Sequence, residues 1–371
     1  MTKRFVKNLK WIIPMILVIC ALSVGIWFVY RSFFGTSSEI EILAEVILGD
    51  GDHNLTAGNG TVILTTSNGL KSYSDDGQTE AEAAYEMDDP IVDARGDYIA
   101  VADCGGTQVQ VIPGNGVVYR YSVTYPIVKI CVATQGVTAV MLDAGTRDLI
   151  EVRDKEGELR VQIGTDTARD GIPVDMALSP DGKKLVSMYI SFDGDDIVSK
   201  VTFYNMSDVG KNYVDNIVGQ YKFAGELVWK VEFLGNDTVA VMLDSGIRIY
   251  SMSEIPGALA SITPDGTIID AEMSDSGIAL VTEDAGGKSL SIYSITGTLQ
   301  KKITGIRDYS HMYYNGSEVA LLGSRNLTIY RKNGTCRLDM ELTQSIDSIF
   351  FGENGRYFFV SSEKIKAVKV K

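Results

Sequence analysis

The sequence predicts an all-β fold, a β-propeller of about eight four-stranded blades, preceded by one transmembrane helix. A module made of a turn, a buried strand, a tight turn and a second strand recurs eight times between Asn54 and the C-terminus. The modules are spaced about 42 residues apart on average, which is the period of propeller blades. One uninterrupted apolar run near the N-terminus predicts the helix.

The clearest copy of the module covers residues 236–252. Its apolar run at 239–243 is followed by an acidic turn at 244–246 and a second, Tyr-bearing strand at 247–250. The first of these strands is apolar throughout rather than alternating, as expected for a sheet covered on both faces by stacked blades. Each module also has an apolar-rich strand before the first turn, and most have another after the Tyr-bearing strand. Four strands per unit result.

The two ends of the repeat region complement each other. The eighth module stops at Lys371, one strand short, and residues 39–48 have strand character without a nearby partner. Pairing these segments closes the ring and removes an open sheet edge that would invite aggregation. The count favours eight blades, and seven is the alternative if one weak module is misread.

The apolar run covers residues 11–30, twenty residues without a charge. That length suffices to cross about 30 Å of hydrocarbon. Trp11 lies at one end and Trp27 with Tyr30 at the other, as in interfacial aromatic belts. Four basic residues precede the run and only Arg31 follows closely, so the positive-inside rule places the N-terminus in the cytoplasm. A cleaved signal peptide has an apolar region of only about 7–15 residues, so we predict an uncleaved anchor.

These observations divide the chain into four parts. Residues 1–10 are a cytoplasmic basic N-terminus, residues 11–30 a transmembrane signal anchor, residues 31–38 a linker and residues 39–371 the propeller domain. The predicted location is the cell membrane, crossed once, with the propeller outside the cytoplasm.

Charge is distributed unevenly along the chain. The formal net charge is −14, yet residues 1–31 hold five basic and no acidic side chains, so the remainder carries −19. Nucleic acid binding needs a basic surface, so the acidic remainder of the chain excludes it. The charge favours basic partners or cations, although a solvated acidic surface would look the same.

One turn carries a resemblance to known propellers. Residues 179–185, Ser-Pro-Asp-Gly-Lys-Lys-Leu, resemble the strand-joining turn of YVTN-type and WD-repeat-like bacterial propellers. An N-terminal anchor followed by an acidic propeller is similar to an uncharacterised family of membrane-anchored bacterial β-propeller proteins. The resemblance implies a fold rather than an activity. The sequence lacks the Trp-Asp dipeptides of true WD repeats and the tryptophan motif of quinone-cofactor propellers, and we predict no cofactor.

No motif predicts catalysis or a metal site. Nucleophile elbows, phosphate loops and dinucleotide fingerprints are missing from the sequence. Residues 50–61 begin like a calcium loop, but Leu55 and Thr61 stand where that loop needs Gly and Glu. Cys104 and Cys131 fall in neighbouring modules, where they could pair or serve as small buried apolar residues.

Aspartates recur after the second strand of the modules, on the face that carries the loops between second and third strands. Loops at residues 191–199 and 164–172 are predicted to reach this face, and residues 207–219 the opposite one. Since Asp-x-Gly is also a turn signature in which the carboxylate caps backbone amides, two interpretations stay open. The predicted binding residues are Asp103, Asp143, Asp193, Asp195, Asp196, Asp244 and Asp284.

We predict a membrane-tethered, extracytoplasmic propeller that acts as a non-enzymatic binding or scaffolding module. Its aspartate-bearing face is expected to bind a basic protein segment or a divalent cation. The alternative is a carboxylate-based, glycosidase-like hydrolase with its site on the axial face. Two carboxylates roughly 5–10 Å apart in a deep pocket would favour that alternative.

Overall fold

The computed structural model describes residues 22–23, 35–49, 51, 53–114, 116–145 and 147–371. The predicted cytoplasmic N-terminus, nearly all of the predicted signal anchor and the start of the linker lie outside these ranges. Within them, we find no helix whose length and apolar character would let it span a membrane.

The described chain forms eight antiparallel sheets of four strands each. In chain order the strands are β1 (Ile40–Ile47), β2 (Asn54–Ala57), β3 (Val62–Thr66), β4 (Gly69–Tyr73), β5 (Thr79–Ala84), β6 (Pro90–Arg95), β7 (Tyr98–Asp103), β8 (Gln108–Pro113), β9 (Tyr119–Ser122), β10 (Ile127–Val132), β11 (Thr138–Asp143), β12 (Arg147–Arg153), β13 (Leu159–Asp166), β14 (Ile172–Leu178), β15 (Lys184–Asp193), β16 (Asp196–Asn205), β17 (Ile217–Ala224), β18 (Val228–Phe233), β19 (Thr238–Leu243), β20 (Gly246–Ser251), β21 (Gly257–Ile262), β22 (Thr267–Ser274), β23 (Gly277–Asp284), β24 (Gly287–Tyr293), β25 (Leu299–Thr304), β26 (His311–Tyr314), β27 (Glu318–Leu322), β28 (Asn326–Arg331), β29 (Cys336–Glu341), β30 (Ser348–Phe351), β31 (Arg356–Val360) and β32 (Lys364–Val370). The helical elements are α1 (Thr167–Asp170) and three 3₁₀ turns at Gly210–Asn212, Val214–Asn216 and Glu353–Gly355.

Blades 1 to 7 each use four consecutive strands, from β2–β5 through β26–β29. Blade 8 combines β30, β31 and β32 with β1 from the beginning of the domain. Ile40 pairs with Val370 and Ile47 with Lys364 in an antiparallel ladder. The predicted closure by residues 39–48 is therefore confirmed, and the ring has eight blades rather than seven.

The core lies between neighbouring blades, because each sheet is covered on both faces. All six residues of β19 are buried, as its unbroken apolar run predicts. Phe203 and Phe223 of blade 4 pack in one cluster with Val239 and Val241 of blade 5. Each such side chain contributes about 1.5–3 kcal/mol when taken fully from water.

Two faces of the ring are distinguished below. The upper face carries the loops from second to third strand and the connections from blade to blade. The lower face carries the remaining turns. The chain enters at the lower face, where Ser37 N donates to the Arg337 carbonyl and Ser37 O accepts from Asp339 N. The upper face is thus the one reached by the predicted aspartates.

Candidate functional site

The most prominent feature of the upper face is a long hairpin in blade 4. The strands β15 and β16 pair without interruption from Lys184 and Asn205 to Asp193 and Asp196. Their flanking strands stop earlier, since β14 reaches only Ile190 and β17 only Val198. Residues 191–197 therefore extend beyond the sheet as a two-stranded arm. The predicted loop at 191–199 is wrong in this respect, because cross-strand pairing continues to a two-residue turn.

The hairpin tip (residues 192–196) combines exposed carboxylates with an exposed aromatic ring. Phe192 is 72% exposed. Asp193, Asp195 and Asp196 are also exposed, and their side chains make no ion pair within the described part of the chain. The tip therefore offers uncompensated negative charge and apolar surface together.

The base of the hairpin is braced by α1. Asp170 accepts hydrogen bonds from Arg169 at 2.9 Å and from the buried Lys200 of β16 at 2.8 Å. Although burial works in the opposite direction, these bonds hold the pKa of Asp170 well below its ordinary value. The segment that we predicted as a loop at 164–172 thus contains the end of β13 and a helical turn that fixes the hairpin.

Three other predicted aspartates cap backbone amides. Asp103 Oδ1 accepts from the amides of Asp88 and Asp89 at 2.9 and 3.1 Å, which ties two upper-face loops together. Asp143 accepts from Gly145 N at 2.8 Å and Asp284 from Gly286 N at 2.7 Å. These contacts are the turn chemistry that Asp-x-Gly predicts.

Asp244 occupies an equivalent exposed turn in blade 5. Its backbone amide donates to the Leu227 carbonyl at 3.2 Å. Gly246 closes this turn with φ of 148°, and a Cβ there would lie 2.2 Å from the Ile262 carbonyl oxygen. The turn therefore requires glycine, while nothing in it requires the charge of Asp244.

Acidity alone does not distinguish the two faces. Lower-face loops also carry carboxylates, but several are neutralised by ion pairs that hold the blades together. Asp275 pairs with Arg95 at 3.3 Å, Asp75 with Arg356 at 2.5 Å, and Asp237 with Lys184. In contrast, none of the seven predicted upper-face aspartates makes an ion pair with a described residue.

Metal binding finds no support in the geometry. Among the residues that the structure describes, no three or more His, Cys, Asp or Glu side chains are grouped so that they could hold an ion. The thiols of Cys104 and Cys131 are free. Cys131 is buried and donates to the Met176 carbonyl at 3.4 Å, and burial raises its pKa.

The central channel holds a group of charged residues that the sequence interpretation missed. Lys129 pairs with Asp175, whose second oxygen accepts from Val231 N of the next blade at 2.9 Å. Asp93 likewise accepts from Val132 N at 2.7 Å. These carboxylates satisfy inner-edge backbone amides that have no strand partner. A charged residue in a blade's otherwise apolar first strand was the signal that could have located them.

A cavity of about 180 Å³ borders this group and is lined in part by Asp93, Arg95 and Glu232. Desolvation in the channel raises the pKa of both Asp93 and Glu232. Arg95 lies 3.7 Å from Glu232 and offsets its charge. The arrangement is a compensated ion network at the axis.

A family model agrees with this architecture. Residues 37–370 match the family of unknown function DUF5711. The chain belongs to this family. The match begins just before β1 and ends with β32, so the DUF5711 domain coincides with the closed ring. No curated protein matches the chain.

Solved structures with the same architecture come from varied organisms. BamB from Moraxella catarrhalis has a TM-score of 0.54 at 10% identity, covering 89% of this chain and 100% of that one. Sqt1 from Saccharomyces cerevisiae has a TM-score of 0.55 at 10% identity, covering 91% and 100%. Dipeptidyl peptidase 4 from Porphyromonas gingivalis has a TM-score of 0.58 at 13% identity, covering 85% and 57%. At such identities the likeness establishes a WD40- and BamB-like propeller fold for the DUF5711 domain, and the fold alone.

Proposed function

We propose that this protein is a membrane-tethered, extracytoplasmic, non-enzymatic binding module whose upper face binds a basic segment of a protein partner. The observation that carries the proposal is the blade 4 hairpin. A braced two-stranded arm presents Phe192 beside Asp193, Asp195 and Asp196, three carboxylates without an ion pair in the described chain. Exposed aromatic rings are typical of protein interfaces, and uncompensated carboxylates attract Lys and Arg side chains.

The tether at residues 11–30 is part of the proposal. Support comes from the charge asymmetry of the sequence and from the position of Gly35 and Ser37 at the lower face. A tether preceding Gly35 holds the lower face towards the bilayer. The upper face then points away from the membrane, where a partner segment reaches it without obstruction.

Neutralising the hairpin tip tests the proposal. We expect that changing Asp193, Asp195 and Asp196 together to Asn lowers affinity for an oligolysine peptide by about tenfold and makes its salt dependence shallower. A second variant, Asp143→Asn with Asp244→Asn, is expected to weaken binding less. The same measurements apply to any partner identified by crosslinking in the native membrane.

The matched control removes as much charge from the lower face. It changes Asp97 to Asn and both Glu158 and Glu353 to Gln, three exposed carboxylates without an ion pair to a described residue. Equal losses in this control and in the hairpin variant would show that only total charge matters, and would refute an upper-face site.

The half-buried Asp93 and Glu232, which lie beside a common cavity, favour the hydrolase alternative. That cavity measures about 180 Å³, whereas ligand pockets usually enclose about 300–1,000 Å³. Asp93 is also engaged with Val132 N and Glu232 lies near Arg95. At the Asp93–Glu232 pair the geometry therefore supports binding better than hydrolysis. Loss of glycosidase activity in both Asp93→Asn and Glu232→Gln, after such activity had been detected, would reverse this preference.

A further inference from the structure

The innermost strands of four consecutive blades share an irregularity. In blades 3 to 6 the pairing of first and second strands shifts register once, close to the upper end of the first strand. Blades 1, 2, 7 and 8 have no such shift. A β-bulge adds one unpaired residue and redirects a side chain. The bulged residues are Val128, Val174, Trp229 and Ile269.

All four bulged residues are apolar and none is buried. Val128 is 46% exposed, Val174 and Trp229 each 42%, and Ile269 41%. Neighbouring blades cover both faces of each sheet, so exposed side chains near the upper end of an innermost strand face the channel mouth or the adjoining upper face. The four residues therefore form an apolar arc along half of the channel's upper mouth, which we call the mouth arc.

The residue after each bulge is charged: Lys129, Asp175, Lys230 and Asp270 follow in order around the ring. Lys129 pairs with Asp175, and Asp175 also holds Val231 N at 2.9 Å. Asp270 lies close to the Tyr309 hydroxyl. The contacts of Asp175 tie together the first strands of blades 3, 4 and 5, which carry three of the four bulges.

Apolar exposure continues from the mouth arc to the hairpin tip. Ile172, the first residue of β14, is 60% exposed and lies two residues before Val174. Its strand pairs with β15, which leads to Phe192. Blade 4 thus connects the axial mouth to the braced arm through exposed apolar side chains, with carboxylates at the outer end.

We infer that the mouth arc is the docking site for bulky apolar side chains of the same basic partner segment that binds the hairpin tip. The inference rests on the proposed function for the sign of the partner's charge. Charge complementarity selects Lys and Arg at the outer end, and the mouth arc selects Leu, Ile or aromatic side chains at the axis. The partner segment is therefore amphipathic, with its apolar residues inserted at the channel mouth.

Trp229 provides a direct probe. The full-length protein in zwitterionic nanodiscs, with Trp11→Phe and Trp27→Phe, retains Trp229 as its single tryptophan. We expect a peptide of alternating Lys and Leu to shift Trp229 emission to shorter wavelength as Leu side chains cover the ring. Oligolysine of equal charge should bind more weakly and leave the emission unchanged. A peptide of alternating Glu and Leu should not bind.

Changing Val128, Val174 and Ile269 together to Ser should lower affinity for the Lys–Leu peptide at least about tenfold while leaving oligolysine binding unchanged. The matched control is Val214→Ser, at a lower-face residue that is 81% exposed. It should change neither the affinity for the Lys–Leu peptide nor that for oligolysine. Since these side chains are exposed, the melting temperature should stay near that of the parent protein.

The outcomes separate the two proposals. If the Lys–Leu peptide binds no better than oligolysine, or binds without moving Trp229 emission, the mouth arc is not a docking site, whereas the charge-based function stands. If oligolysine affinity stays the same when the three hairpin aspartates are changed to Asn, the proposed function fails. Lys–Leu binding that disappears only in the Ser variant would then show apolar docking without charge selection, which overturns the amphipathic partner.

Discussion

At the residue scale, aspartate serves three purposes on the upper face, and the surroundings of each carboxylate decide which. The carboxylate of Asp103 caps two amides, and that of Asp170 pairs with the buried Lys200. The carboxylate of Asp195 has no partner in the described chain. Sequence alone places all three in turns. It cannot tell them apart, because the amides that Asp103 meets and the lysine that Asp170 meets come from other strands and loops.

Asp170 should make stability depend on pH. Asp170→Asn leaves the buried Lys200 without its ion-pair partner, so it should lower the free energy of unfolding by about 3 kcal/mol at neutral pH. The pKa of Asp170 lies below its ordinary value of 3.8 in the folded protein. Its contribution is therefore complete above that pH and lost as the pH falls towards the folded-state value.

Urea unfolding of the parent protein and of Asp170→Asn from pH 7 down to pH 3 measures this effect. The difference between their free energies of unfolding should narrow below about pH 4. Asp195→Asn is the control, since an exposed side chain without an ion pair should change stability by less than about 0.5 kcal/mol. A gap that stays constant with pH would contradict the role given to Asp170.

At the element scale, strand content was largely predictable and strand length was not. The unbroken apolar runs that became β11, β19 and β27 identify second strands because only strands buried on both faces need them. The sequence predicts a loop at 191–199 because Asp193, Gly194 and Asp195 have the composition of one. In the structure Phe192 pairs with Ile197 across the arm, a register that composition does not reveal.

The bulges that form the mouth arc are likewise not predictable from the sequence. A bulge shifts the alternation of side chains by one residue, so a run such as Val228–Phe233 gives no periodic signal for it. What the sequence does show is an apolar residue followed by a charged one in the first strands of four successive modules. That pattern gains its meaning only when the ring brings the four strands together.

Ring closure by β1 leads to a prediction with a built-in control. Leu48 N donates to the Glu363 carbonyl, so the alternation of an antiparallel ladder places Val46 in a hydrogen-bonded pair with Ile365. Val46→Pro removes that bond and should lower the free energy of unfolding by about 2 kcal/mol. Ile47, 84% exposed, has its amide on the outer edge, and Ile47→Pro should be tolerated.

Thermal melting and light scattering distinguish these variants, and a chain that begins at residue 49 extends the series. It should aggregate, because β32 becomes an unpaired edge, whereas a chain that begins at residue 38 should remain monomeric. Equal stability and equal molecular mass for the two chains would show that β1 is dispensable.

At the scale of the whole molecule, the period of the repeat determined the fold and the unmatched terminal strand determined its closure. The fold and its closure were predictable from the sequence because they depend on strand count rather than on side-chain geometry. The mouth arc was not, since it combines residues that lie about 140 positions apart in the chain, from Val128 to Ile269.

Membrane orientation is testable on intact cells. The four basic residues before residue 11 should keep the N-terminus in the cytoplasm, so added protease should remove the propeller and leave a small N-terminal fragment. Immunoblotting with tags at each end follows the two parts. A propeller that resists digestion until the cells are lysed would contradict the proposed topology.

The strand that closes the ring also has a mechanical consequence. Because β1 starts at the lower face and runs towards the upper face, tension between the proposed tether and the proposed partner would act along the strand. Its seven registered pairs with β32 are then loaded together in shear instead of being unzipped in turn. The joint that completes the propeller is thereby also the part of the molecule oriented to bear a pull.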